Sequence, residues 1–145
     1  MRREIARELI HLANGVYKVD QEAVTADEKE TDIRLRSVVS DCEAVIELKL
    51  GDGRSARDLR DTIYNQLVKK YMAAENSRSG CLLITLAKHR EWEHPDNGKR
   101  IDLDELMSLL RYEARRVEDM MGGVLALSVR LLDLRIRLPV EKPSR

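Results

Sequence analysis

Phenylalanine is absent, tryptophan occurs once, at Trp92, and tyrosine four times. The core must therefore be aliphatic, and aromatic stacking platforms for single-stranded nucleic acid lack the material to form. Cysteine is nearly as scarce. Cys42 and Cys81 are too few for a disulfide scaffold, and their apolar sequence neighbours predict two buried free thiols in a reducing compartment. No apolar run approaches the ~18 residues that a membrane helix needs. The first residues, Met-Arg-Arg-Glu-Ile-Ala-Arg-Glu, contain no apolar targeting core. A cytoplasmic protein without a membrane partner is the expectation. Neither sign of charge is in excess: 26 Lys and Arg face 26 Asp and Glu, for a net charge of zero. That argues against a basic nucleic-acid coat protein and against an acidic solvating tail. A nucleic-acid enzyme stays open, because it needs only one positive patch beside an acidic site.

What is present suffices for one domain. The chain has 145 residues, 43% of them hydrophobic, enough to fill a core. Ile5, Leu9 and Leu12 predict a first helix that ends at Asn14-Gly15. A strand candidate follows over 16–25, and the polar run 26–31 reads as a turn. From Asp32 onward, Asp32, Arg34 and Arg36 alternate with Ile33 and Leu35, the period of a half-buried strand. Cys42 to Leu50 is the clearest strand, with Cys42, Ala44, Ile46, Leu48 and Leu50 on an apolar face and Glu43, Val45, Glu47 and Lys49 on the other. Gly51-Asp52-Gly53 ends it. Ser55 caps a long helix to about Ala74, striped by Leu59, Ile63, Leu67 and Tyr71. Gly80 to Ala87 reads as a central strand, and 88–100 as a charged, mobile surface rim. A third helix capped by Asp102 or Asp104 runs to about Met120, a last strand lies within Val124–Arg137, and 138–145 is a tail. Strand, helix, strand order implies an α/β fold.

One constellation carries chemistry. Period 2 places Glu47 and Lys49 on one strand face, and a hairpin over 32–50 brings Asp32 near Glu47. Two carboxylates beside an ammonium suit a divalent cation with oxygen ligands, Mg²⁺ or Mn²⁺. The lysine can orient or deprotonate an attacking water, or offset charge on a scissile phosphate. Such a set hydrolyses phosphodiesters. Cross-strand ion pairing on a solvated face is the competing reading. Gln66, one position off the apolar stripe of the long helix, is placed to reach the sheet edge or a phosphate, or else simply meets solvent. Lys29, Arg34 and Arg54 lie close in sequence to this set and are candidate contacts to a nucleic-acid backbone. His89 and His94 fit no zinc spacing.

The runs Asp32-Ile33-Arg34-Leu35, Val45-Ile46-Glu47-Leu48-Lys49 and Asn65-Gln66-Leu67-Val68-Lys69-Lys70-Tyr71-Met72 together resemble the core of the PD-(D/E)xK nuclease superfamily. The likeness is greatest to small nuclease-like domains at the C-termini of larger bacterial proteins. It covers about residues 4–87, and 88–136 in outline. It implies a restriction-endonuclease-like fold over 1–137, a mixed four- or five-stranded sheet flanked by helices. By the same resemblance, Asp32 and Glu47 bind the metal and the Leu48 carbonyl completes the protein ligands. Lys49 assists the nucleophilic water, and a first-helix glutamate, Glu8 ahead of Glu4, contributes. Gln66 matches a glutamine followed four positions on by a tyrosine, although Tyr71 lies five positions on. Thr31 stands where the family has proline, a residue that shapes the turn and ligates nothing.

The expectation is a Mg²⁺-dependent deoxyribonuclease that acts on DNA, pairs as a homodimer and belongs to a larger multidomain protein. A catalytically inactive binding or dimerisation module is the alternative.

Overall fold

The computed structural model describes residues 2–21, 31–71 and 76–135; for Gln21, Thr31, Asp32, Lys70 and Tyr71 only the backbone is considered. Helix α1 (Arg2–Leu12) precedes strands β1 (Tyr17–Gln21), β2 (Thr31–Ser37) and β3 (Glu43–Leu50). A 3-10 turn over Gly51–Gly53 leads into α2 (Ala56–Thr62), which continues as a π-helical segment, Ile63–Tyr71. Strands β4 (Ser77–Leu86), β5 (Trp92–Glu93) and β6 (Arg100–Ile101) follow, then α3 (Leu103–Met120) and β7 (Ala126–Asp133). The main sheet has five strands in the order β1-β2-β3-β4-β7, and β5 with β6 forms a separate hairpin. β2 runs antiparallel to both of its neighbours, β1 and β3, whereas β3, β4 and β7 run parallel. The expected mixed α/β sheet flanked by helices is what forms.

Two chain crossovers set the layering. Parallel neighbours need a long connection, and here α2 with the π segment links β3 to β4, while the hairpin and α3 link β4 to β7. These helices share one core with Val45, Leu82, Ile84 and Val129, so they cover the same face of the sheet, the front. Ser55 accepts a hydrogen bond from the Asp58 amide and Asp102 accepts one from the Glu105 amide, capping α2 and α3. Asp102 is thus the cap of the third helix. On the opposite face α1 packs against β1 and β2. It buries Ala6 and receives the Tyr17 hydroxyl on the Leu9 carbonyl. Ile33, whose register position shares that face with Leu35, is fully buried.

This layering corrects three expectations. The apolar row of β3 is not the main core side: Leu50 is exposed, Ala44 and Ile46 are half-buried, and the row with Val45, Glu47 and Lys49 lies under the helices. Cys42 sits exposed in the turn before β3, and Cys81 is only partly buried, with burial pushing its thiol pKa up. The 88–100 segment is not simply a surface loop: it forms most of a braced hairpin, whose apolar Trp92 and Ile101 insert into the core. The Trp92 indole donates to the Arg54 carbonyl, and Arg90 stacks over the indole while donating to the Gly51 and Asp52 carbonyls. Arg57 and Arg60 of α2 reach Pro95 and Asp96, and the Arg60 guanidinium holds the Asp96 carboxyl below its ordinary range.

The long second helix also departs from expectation. It runs as α-helix only to Thr62 and then as a nine-residue π segment. π-helical hydrogen bonds close over five residues rather than four. Gln66 and Tyr71 are therefore one π-turn apart, as residues four apart are in an α-helix.

Trp92→Ala should destabilise the domain by about 3–5 kcal/mol, the usual cost of emptying a buried indole site, in urea denaturation. A loss below about 1 kcal/mol would show that the hairpin is not part of the core.

Candidate functional site

β3 is the strand where the antiparallel and parallel halves of the sheet meet. Glu47 stands in register with Asp32 on β2 and with Leu82 on β4, and Lys49 with Ile84 on β4. Since side chains two apart share a face, Glu47 and Lys49 join Val45 on the front face, beneath the helices. Both are buried, at 0% and 3% exposure. Among the described residues they are the only buried acidic or basic side chains. Lys49 Nζ lies 2.9 Å from Glu47 Oε1.

A pair like this is costly. Removing two charges from water loses several kcal/mol of hydration each, and well-packed hydrophobic residues of similar volume do as well or better for stability. By contrast, the Arg36–Asp20 and Arg100–Glu91 pairs lie in solvent, where such contacts contribute little. The competing reading, ion pairing on a solvated face, therefore fails for Glu47 and Lys49 on burial.

Three further features adjoin β3 around the pair. The register sets the Cα of Asp32 directly opposite that of Glu47, a position for which Cα separations are about 4.5–5.5 Å. Leu48, between Glu47 and Lys49, is in register with Thr31, the first pair of the described β2–β3 ladder. The π segment packs against β3 and β4, burying Ile63, Leu67 and Val68. Gln66 lies among them, and its Oε1 is buried with no hydrogen-bond partner among the described residues. An unpaired buried amide oxygen costs about 1–3 kcal/mol, so it calls for a donor such as a water molecule.

Other sequence candidates fall elsewhere. Arg34 is two register pairs from Asp32 on the same face, half-buried, with Nη1 3.5 Å from Glu43 Oε2. Arg54 follows the 3-10 turn after β3, half-buried, and holds the Trp92 indole through its carbonyl. Glu8 and Glu4 are exposed on α1, whose packing is on the back of β1 and β2, so that helix does not carry them to Glu47. Lys29 lies outside the described residues. No group of three or more His, Cys, Asp or Glu side chains gathers among the described residues, a set that includes the backbone of Asp32 and not its side chain.

Compared with protein-family models, with curated proteins and with solved structures, the chain matches none. No family membership follows, and the case for function rests on the site itself.

Sequence reasoning placed the charges of Arg34 and Arg36 beside this site and missed those across from them on β1. On the front face, Arg36 faces Glu43 of β3 and Lys18 of β1, and Arg34 faces Asp20. The alternation that marked Arg34 also marks Arg36; Lys18 and Asp20 become visible only through the β1–β2 register. A cavity of about 870 Å³ lies against the hairpin and the start of α3, lined by His89, Arg90, Trp92, Asp104 and Arg135 among others and not by Glu47 or Lys49.

Glu47→Leu alone should cost about 3–5 kcal/mol, because it strands the Lys49 charge in the core. Adding Lys49→Met should return stability to the parent level or above it by ~1–4 kcal/mol. Urea denaturation of both variants checks this, and a double variant as unstable as the single one would show that the pair is structural.

Proposed function

We propose that this chain hydrolyses phosphodiester bonds of DNA with a divalent cation, Mg²⁺ or Mn²⁺. The observation that supports it most is the buried Glu47–Lys49 pair at 2.9 Å with Asp32 directly opposite in register. Burial of opposite charges without benefit to stability is what a site for chemistry looks like.

The residues fit such a cation. Asp32, Glu47 and the Leu48 carbonyl are hard oxygen donors, the kind that Mg²⁺ and Mn²⁺ take. The partnerless Gln66 Oε1 gives a water near the π segment somewhere to donate. A bound divalent cation supplies Lewis-acid polarisation of the phosphate and a lowered pKa for water.

The chain's own groups do the rest. Glu47 holds the Lys49 ammonium in one place, so that no orientational freedom need be lost when substrate arrives. That ammonium can orient the attacking water or stabilise negative charge on the phosphate in a site shielded from bulk solvent, where the interaction is strongest. Gln66 accepts a hydrogen bond from water and fixes its direction. Membership of the PD-(D/E)xK superfamily belongs to this proposal and draws support from two features. The Asp32, Glu47 and Lys49 set is complete. The π segment also places Tyr71 one turn from Gln66, which reconciles the five-residue spacing with the four-residue pattern.

Incubated with plasmid and linear DNA, the parent should cleave with Mg²⁺ or Mn²⁺ and not with EDTA. Asp32→Ala and Lys49→Met should each lower the rate by ~10²–10⁴, the range for removing a positioned catalytic group. Cleavage undiminished in both variants would refute this assignment.

A further inference from the structure

The front face of the sheet is divided. Its parallel half is sealed by α2, the π segment and α3. On its antiparallel half the residues stay polar: Lys18, Asp20 and Arg36 are exposed, and Arg34 and Glu43 half-buried. The helix that packs on β1 and β2 lies on their other face. Glu47 and Lys49 are buried where the helix-covered half ends, and the front-face strand next to them on the other side is β2.

Charge follows that strand. Along β2 the front-face positions are Asp32, Arg34 and Arg36, two residues or about 7 Å apart. Lys18 stands across from Arg36, and Asp20 from Arg34. Arg36 is held by two carboxylates, with its Nε 2.7 Å from Asp20 and 3.4 Å from Glu43, yet its side chain is 55% exposed. With Asp32 assigned to the cation site, the rest of this face sets three cations, Lys18, Arg34 and Arg36, against two carboxylates, Asp20 and Glu43, and it adjoins the Asp32–Glu47 register pair. The carboxylates limit where Arg36 can go without covering it, which lowers the entropy lost when it meets an anion.

We propose that the front of β1 and β2 is a track for the phosphate backbone of a DNA strand, with Arg36 and Lys18 its distal contacts and Arg34 the one nearest the reacting group. This rests on the phosphodiesterase reading of Asp32, Glu47 and Lys49 and extends it to the path of the substrate. Phosphates are the occupant that the row's charge and its continuity with the hydrolytic set favour. Two arginines two residues apart on β2, with Lys18 across from the outer one, suit the repeating charge of a phosphate backbone, and no aromatic side chain stands on these front positions to read bases.

The test is binding by fluorescence anisotropy of labelled single- and double-stranded DNA in EDTA, over a range of salt. Parent, Lys18→Ala/Arg36→Ala, Arg36→Lys and a control on α3, Arg115→Ala, are compared, with cleavage in Mg²⁺ measured beside it. The double variant should bind about tenfold more weakly at low salt. Its slope of log Kd against log salt should flatten by ~1.4 for single strands or ~1.8 for duplex, two lost phosphate contacts. Arg36→Lys should keep part of the affinity, since charge remains and the planar fork does not, and Arg115→Ala should match the parent. Parental affinity and slope in the double variant, a loss of equal size in Arg115→Ala, or no DNA binding by the parent overturns the track. If the track variants lose binding as stated while the parent fails to cleave, the track stands and the hydrolytic reading falls. If the parent cleaves and the double variant binds as the parent does, the reverse holds.

Discussion

The buried Glu47–Lys49 pair is the constraint that organises this domain. Two charges lie on a sheet face whose other positions, Val45, Leu82 and Ile84, are packed beneath helices. Their place on β3 matters as much as their burial. β3 has an antiparallel neighbour on one side and a parallel neighbour on the other, so it borders both the sealed half of the front face and the open one. A residue on this strand can be shielded by the helices and still stand beside an exposed, charged surface. The 2.9 Å contact keeps the ammonium fixed, and the register with Asp32 brings a second carboxylate position to the same row.

The helical cover is fitted to this row. α2 changes to π geometry at Ile63, and the wider winding presents Ile63, Leu67 and Val68 to the core while leaving Gln66 beside them with a buried, unpartnered oxygen. A polar group placed so within an apolar contact carries a cost that packing alone does not repay. At the strand ends, the β5–β6 hairpin and Arg90 brace the 3-10 turn that follows Lys49, which fixes the end of β3 against α2.

Much of this was legible in the sequence, and the failures have physical causes. The alternation over Asp32–Arg36 and Cys42–Leu50 correctly paired Asp32 with Glu47, because period 2 determines the face and the short connection leaves little choice of hairpin. Burial was not legible. One row of β3 is wholly apolar and the other mixed, which suggests a core side and a wet side; yet helices cover both faces of this sheet, and the mixed row has the heavier cover. The α-to-π change was invisible, since Ile63, Leu67 and Tyr71 fit a continuous amphipathic stripe; its one trace was the extra residue between Gln66 and Tyr71. Trp92 and Ile101 were each isolated among charges, so no periodicity marked the hairpin they anchor. Glu8 was favoured through family resemblance alone, and α1 packs on the other face.

The central claim is that Asp32 and Glu47 share one divalent cation beside a fixed ammonium. Titration with Mn²⁺ followed by electron paramagnetic resonance reads this without reference to turnover. The account predicts one Mn²⁺ bound per chain, displaced by Mg²⁺ and lost in both Asp32→Ala and Glu47→Gln. No Mn²⁺ binding by the parent, or binding that neither substitution weakens, would contradict it.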